Sequence, residues 1–93
     1  MILYGVSAKV KAKLHAKTPV VNLWEVDEAL SDPDVLVNTV SRNRKRREVI
    51  RRYVGFTEGS RLLVVFLIFK PDGVWLESAY SAPDHLKKRY NQR

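Results

Sequence analysis

A short basic segment in the middle of the chain is its clearest chemical feature. Residues 42–52 hold seven cations and one anion, a net charge of +6, whereas the other residues hold ten cations and nine anions. The seven cations are Arg42, Arg44, Lys45, Arg46, Arg47, Arg51 and Arg52. Guanidinium groups bind phosphate oxygens through paired hydrogen bonds, and several together release the counterions condensed on a nucleic acid. The segment therefore predicts a nucleic-acid-binding surface, although such runs also occur in solvated surface loops.

Aromatic and amide side chains near this segment could add contacts to bases, because bases stack on aromatic rings irrespective of sequence. The candidates are Asn43, Tyr53 and Phe56. Arg51 and Tyr53 share one face if this stretch is a strand. Either both project towards a ligand, or Tyr53 packs in the core and Arg51 forms an ion pair. The acidic residues available for that pair are Glu48 and Glu77.

Histidine is the side-chain type whose ordinary pKa lies near neutral pH, which suits it to proton transfer. The sequence has two, His15 and His85. They could act as base and acid on opposite sides of a phosphodiester if the fold brought them together. His85 is the better single candidate, because Lys88 and Arg89 follow it in a predicted helix.

Other kinds of site are excluded by residue type or spacing. The sequence has no cysteine, and its histidines stand in unrelated segments without an acidic cluster, so no metal site is expected. Its four glycines are isolated and form no phosphate-binding loop. RNA can be cleaved without a metal, since its 2′-hydroxyl attacks the neighbouring phosphate once a base removes the proton. We therefore expect the protein to act without a cofactor.

Length and hydropathy predict one soluble cytosolic domain spanning residues 1–93. Apolar residues make up 45% of the chain, enough for a single core. The longest apolar run, residues 62–69, is far shorter than the ~20 residues that cross a bilayer. Residues 25–34 hold five carboxylates and no cation, so this stretch could face a basic partner.

The hydrophobic pattern predicts two helices near the N terminus, after a short strand at residues 1–4. Apolar residues recur every four positions around residues 7–16, which predicts the first helix. A second stripe on that helix consists of Lys9, Lys13 and Lys17. Asn22 and Glu25 have the spacing of a capping box, so the second helix is predicted to begin there.

An antiparallel meander and a closing helix are predicted to follow. The expected strands cover residues 35–40, 48–57, 62–69 and 74–80. The first is expected at a sheet edge, and the third in the centre because it is apolar on both faces. Pro83 suits the first turn of the closing helix, which Leu86 and Tyr90 would dock. This order predicts an α+β fold with an antiparallel sheet of about four strands, two N-terminal helices and one C-terminal helix.

Three segments, taken in order, form a larger pattern. The first runs from Lys13-Leu-His-Ala-Lys17 through Val21 and Trp24-Glu-Val26 to Ala29-Leu-Ser-Asp32-Pro33. The second is Arg52-Tyr-Val-Gly55 followed by Gly59-Ser-Arg61-Leu-Leu-Val-Val65. The third is Glu77-Ser-Ala-Tyr80-Ser-Ala82 followed by Lys88-Arg89-Tyr90. Their order resembles the BrnT family of ribonuclease toxins across most of the chain.

The resemblance implies a RelE-like fold and an endoribonuclease that acts as the toxin of a bacterial type II toxin–antitoxin system. It also implies a cognate antitoxin protein that neutralises the toxin, with operator DNA bound only through the complex of the two and no membrane partner. The sequence departs from the family pattern at Tyr80 and Phe56, where the family has arginine. Both departures remove fixed positive charge from the expected site.

We therefore expect RNA cleavage at a site in which arginines bind phosphate and Tyr80 or His85 transfers protons. The expected catalytic residues are Arg51, Arg52, Arg61, Tyr80 and His85. The expected RNA-binding residues are Arg42, Arg44, Lys45, Arg46, Arg47, Lys88 and Arg89. The alternatives are a non-catalytic nucleic-acid-binding module, and a protein-interaction adaptor whose basic segment binds an acidic helix.

Overall fold

Seven elements make up the computed structural model, which describes residues 3–17 and 19–91, with the backbone alone for residues 89–91. In chain order they are α1 (Ala8–Ala16), α2 (Leu23–Leu30), β1 (Leu36–Asn43), β2 (Glu48–Phe56), β3 (Leu62–Lys70), β4 (Gly73–Ser81) and α3 (Asp84–Asn91). The strands form one antiparallel sheet in the order β1-β2-β3-β4. The predicted α+β layout of two helices, four strands and one helix is confirmed.

Both N-terminal helices begin at residues that form capping hydrogen bonds. The Ser7 hydroxyl accepts a hydrogen bond from the Val10 backbone N–H at 3.2 Å, which caps α1. The Asn22 backbone N–H donates to the Glu25 carboxylate at 3.3 Å, and the Asn22 side-chain amide donates to it at 3.0 Å. The predicted capping residues of α2 are therefore confirmed.

The sheet separates the core into two layers. On one face, which we call the helix-pair face, Leu63, Val65 and Leu67 of β3 pack with Leu14 of α1 and Val26 of α2. On the other face, which we call the α3 face, the buried residues are Val54, Leu62, Val64 and Ala82, and Leu86 of α3 packs on them. The central β3 is thus covered on both faces, as its hydropathy predicts.

Two details of the strand prediction are wrong. β1 extends to Asn43 instead of ending at residue 40, because Ser41, Arg42 and Asn43 pair with the first residues of β2. At the N terminus, the predicted strand is reduced to a single bridge between Gly5 and Trp75, and residues 1–2 lie outside the described residues. Polar, exposed strand ends carry no hydrophobic alternation, so periodicity does not detect them.

Close packing of α2 on β2 fixes the sheet beneath the helix pair. A Cβ added at Gly55 would overlap the carbonyl oxygen of Ala29, so this strand position requires glycine. Asp32, which follows α2, accepts a hydrogen bond from the Phe56 backbone N–H at 2.8 Å. Among the described residues, no helix has the length and hydropathy needed to span a membrane.

Candidate nucleic-acid interface

Five exposed cations gather at the tip of the hairpin that joins β1 to β2. They are Arg42, Arg44, Lys45, Arg46 and Arg47, and we call residues 42–47 the basic turn. Asn43 accepts a hydrogen bond from the Arg46 backbone N–H at 3.2 Å, so its side chain shapes the turn. Within the described part of the chain, none of these cations has a carboxylate within ion-pair distance. Their charged groups are therefore available to a polyanion.

Arg51 lies on the helix-pair face, together with Tyr53. The Arg51 guanidinium carbon is 4.9 Å from the centre of the Phe69 ring, a cation–π contact. Tyr53 is only 5% exposed and belongs to the core. Of the two interpretations of this pair, Tyr53 follows the core-packing one. Arg51 stacks on an aromatic ring, and neither Glu48 nor Glu77 is paired with it in the described structure.

Arg52 lies on the opposite, α3 face. In the sheet register it pairs with Asn38 on one side and with Phe66 on the other, and Phe66 in turn pairs with Ser78. The Arg52 side chain is half-buried, and its Nε is a buried polar atom with no hydrogen-bond partner among the described residues. A buried donor without a partner costs about 1–3 kcal/mol. Arg52 also has no ion-pair partner among the described residues, so its charge is not neutralised within the described part of the fold.

Tyr80 also lies on the α3 face, in the row next to that of Arg52. It pairs with Val64, and its ring centre is 6.1 Å from that of Phe66. The Lys17 ammonium lies 5.8 Å from the centre of the Tyr80 ring, so a cation from the end of α1 reaches this face. Lys17, Pro19, Tyr80 and Ser81 line an open recess of about 230 Å³. The α3 face thus combines aromatic rings, a hydroxyl and two cations.

The Arg61 side chain forms hydrogen bonds within the fold. Its Nη1 donates to a Glu25 carboxylate oxygen at 2.8 Å, and its Nε donates to the Ser81 hydroxyl at 2.8 Å. Further donor bonds reach the backbone oxygens of Val20 and Pro19. Glu25 is 7% exposed. Burial by itself raises the pKa of Glu25, but hydrogen bonds from Asn22 and Arg61 outweigh it and hold the pKa below its ordinary value.

The two histidines lie in different layers of the molecule. His15 is an exposed residue of α1, which packs on the helix-pair face through Leu14. His85 is an exposed residue in the first turn of α3, which packs on the other face through Leu86. The helices that carry the two histidines therefore pack on opposite faces of the sheet. Lys88 is exposed on α3, whereas the side chains of Arg89 and Tyr90 lie outside the described residues.

Most of the acidic run at residues 25–34 binds partners within the fold. Asp27 accepts a hydrogen bond from the Tyr4 hydroxyl at 2.5 Å, and Glu28 accepts one from the Glu58 backbone N–H at 3.1 Å. Burial, together with the bond to Asp27, raises the pKa of Tyr4. Asp32 accepts from the backbone N–H groups of Phe56 and Asp34. These carboxylates tie α2 to the sheet and to the segment before α1.

The structure brings together only part of the predicted site. Arg52 and Tyr80 lie on the α3 face, on which the helix that carries His85 also packs, whereas Arg51 lies on the helix-pair face. Arg61 is next to the recess beside Tyr80, but its guanidinium is bound to Glu25, Ser81 and backbone oxygens. Phe56 packs on the α3-side core rather than standing free for base stacking. Lys17 was not among the expected site residues. The lysine stripe on the first helix was its sequence signal, but the pattern does not show that the last lysine reaches over β4.

Comparison of the sequence with family models and with curated proteins gives no match. Among the described residues, no group of three or more His, Cys, Asp or Glu side chains is arranged to hold a metal ion. The candidate site therefore consists of the basic turn and the α3 face.

Proposed function

We propose that the protein binds RNA in the cytoplasm and cleaves it without a metal ion, as the toxin of a type II toxin–antitoxin system. The observation that carries the proposal is Arg52, a half-buried arginine whose Nε has no partner among the described residues. It shares the α3 face with Tyr80, where its guanidinium, which has no ion-pair partner among the described residues, would bind an RNA phosphate.

The basic turn supports binding of a nucleic-acid strand that continues on to this face. Arg47 ends the turn, and Arg52 follows in β2, roughly 17 Å further along at the usual rise per strand residue. The α3 helix covers the other end of the same face, around Leu62 and Val64. The sheet surface between the turn and α3 carries Arg52 and Phe66, and it is the surface on which the strand would lie.

In the proposed reaction, the ribose 2′-oxygen attacks the adjacent phosphorus and the bond from phosphorus to the 5′-oxygen breaks. The products are a 2′,3′-cyclic phosphate and a free 5′-hydroxyl. Arg52 stabilises the negative charge that develops on the phosphoryl oxygens. His85 accepts the proton of the 2′-hydroxyl, and Tyr80 donates a proton to the leaving 5′-oxygen.

The toxin assignment is supported by the resemblance of three segments to the BrnT family. The resemblance also implies a cognate antitoxin protein that neutralises the cleavage. Operator DNA would be bound only by the complex of the two proteins. Tyr80 occupies the position of an arginine in that family, so in this chain a proton donor replaces a fixed charge.

A non-catalytic RNA-binding module is the second candidate, and the basic turn favours it. The turn lies on a hairpin tip, and its five exposed cations would bind phosphates whether or not the α3 face does chemistry. The two candidates share salt-sensitive binding and differ only in strand scission.

The deciding experiment incubates purified protein with single-stranded RNA in the presence of a chelator and examines the product ends. We expect cleavage with cyclic phosphate termini. Arg52→Gln should slow this cleavage by about 10²–10³-fold, and added metal should not restore the rate. Its biological counterpart is growth arrest on expression, relieved by an antitoxin encoded next to the toxin gene. Binding without scission by the wild-type protein would overturn the nuclease proposal and leave the binding module.

A further inference from the structure

β1 is an edge strand whose two faces are both largely open to solvent. Leu36 is half-buried, and residues 37–43 are exposed. The N-terminal helices pack on β2, β3 and β4 rather than on β1. In the described residues, the backbone of β1 is hydrogen-bonded to β2 alone, so its outer N–H and C=O groups form a free edge. Such an edge is a template for pairing with another strand.

The usual protections against edge pairing are sparse in β1. Natural edges are kept short, carry charged residues or proline, contain a β-bulge, or are covered by a helix or loop. β1 has eight residues, and its first six, Leu-Val-Asn-Thr-Val-Ser, contain neither a charge nor proline. Val37 and Val40 are 48% and 53% exposed. Of these devices, β1 has a register irregularity between Thr39 and Ser41 and one charged residue, Arg42, near its end.

The two ends of β1 carry opposite charge. Asp32 and Asp34 precede the strand, whereas Arg42 and Arg44 lie at its end and just beyond it. When two copies of one strand pair antiparallel, the beginning of each lies beside the end of the other. The acidic end of each β1 strand would then lie beside the basic end of the other β1 strand, so the dimer would contain two such contacts. A parallel pairing would instead place like charges together.

We propose that the β1 edge is an interaction surface for a second copy of this chain, with the two β1 strands antiparallel about a two-fold axis. The two sheets then join into one of eight strands. The exposed Val37 and Val40 of each copy lie along the seam, and Arg44 of one copy lies beside Asp34 of the other. The inference goes beyond the proposed function and does not depend on RNA cleavage.

The test is the oligomeric state of the full chain, freed of nucleic acid, measured by sedimentation equilibrium over a roughly hundredfold range of concentration. We expect a monomer–dimer equilibrium that weakens with added salt, because exposed charge pairs are screened. Asp34→Lys and Arg44→Glu should each weaken the dimer by about tenfold or more, since each places two like-charge pairs at the interface. The double variant Asp34→Lys/Arg44→Glu should restore it.

The control is Glu77→Lys on β4, an exposed strand residue far from β1, which makes the same charge change and should leave the dimer intact. Circular dichroism of each variant shows that the fold is retained. A chain that stays monomeric throughout would overturn the proposal. So would a dimer that is insensitive to both charge reversals, or one that the double variant fails to restore.

Discussion

Arg51 and Arg52 are neighbours in β2, yet their side chains lie on opposite faces of the sheet. Arg51 pairs with Leu67 in the register and stacks on Phe69 on the helix-pair face. Arg52 pairs with Phe66 on the α3 face, where its Nε lacks a partner among the described residues. The two arginines carry the same charge on the same strand and differ mainly in the face of the sheet on which they lie. They are therefore a matched pair for experiment.

The first prediction compares Arg51→Gln with Arg52→Gln. Both variants lose one charge from the same strand, so their long-range electrostatic effects on RNA are similar. Because only Arg52 faces the proposed site, Arg52→Gln should lower the rate of RNA cleavage by about 10²–10³-fold, the usual effect of removing a charge-stabilising donor. Arg51→Gln should cleave at close to the wild-type rate. Single-turnover cleavage at saturating protein measures both, and equal losses in the two variants would contradict the assignment.

The second prediction concerns the salt dependence of binding. Replacing Arg44, Lys45 and Arg46 together by glutamine removes three exposed cations from the basic turn. If each contacts one phosphate, the slope of log affinity against log salt for single-stranded RNA should become shallower by about 2, at roughly 0.7 per contact. Fluorescence anisotropy with a labelled RNA at several salt concentrations measures the slope.

The matched control for the turn replaces three exposed cations of α1, Lys9, Lys11 and Lys13, by glutamine. This variant has the same net charge as the turn variant, but its substitutions lie on the helix that packs on the other face of the sheet. Its salt slope should stay close to that of the wild type. An equal change in both variants would mean that RNA responds to total charge and that the turn is no specific surface.

Much of the fold could be predicted because its signals are local. The cap at Asn22, the apolar run of β3 and the alternation of β2 each involve residues close in sequence. The alternation even assigned Arg51 and Arg52 to opposite faces. It did not say which face is covered by which helix, and charge counting grouped both arginines into one site.

The misplaced parts of the site depend on long-range contacts. Arg61 is bound by Glu25, which lies 36 positions earlier in the chain, and no local pattern connects the two. Lys17 reaches Tyr80 only because α1 lies beside β4. A list of basic residues cannot distinguish a cation held within the fold from one that is open to a ligand, since that difference is made by partners elsewhere in the sequence.

The third prediction is a pH-dependent contribution of Glu25 and Arg61 to stability. The pKa of Glu25 is lower in the folded protein than its ordinary value of 4.5. The stabilisation is therefore fully present above pH 4.5 and is lost as the pH falls through the lower, folded-state pKa. Arg61→Met should reduce the free energy of unfolding at pH 7 by about 2 kcal/mol, because it leaves a buried carboxylate without its guanidinium.

Urea unfolding of the wild type and Arg61→Met at pH 7 and at low pH measures this effect. The gap between the two proteins should narrow as Glu25 becomes protonated. Lys70→Met, which removes an exposed cation at the end of β3, serves as a control and should change stability little at either pH. A gap that is the same at both pH values would show that Arg61 stabilises the fold through its packing and backbone contacts instead.

The last prediction separates proton transfer from binding on the α3 face. Tyr80→Phe keeps the ring that packs near Phe66 and Lys17 but removes the hydroxyl. If Tyr80 protonates the leaving oxygen, the variant should bind RNA with wild-type affinity and cleave it about 10²-fold or more slowly. An RNA whose leaving group needs no proton, such as a 5′-thio-linked or nitrophenyl phosphodiester, should largely restore the rate of Tyr80→Phe and should not restore that of Arg52→Gln.

His85→Gln should lower cleavage of both RNAs, because the proton of the 2′-hydroxyl must still be removed. His15→Gln, an exposed position on the opposite layer, serves as the unaffected control. Equal slowing of Tyr80→Phe on the two substrates would exclude Tyr80 as the acid and leave its ring as a binding surface.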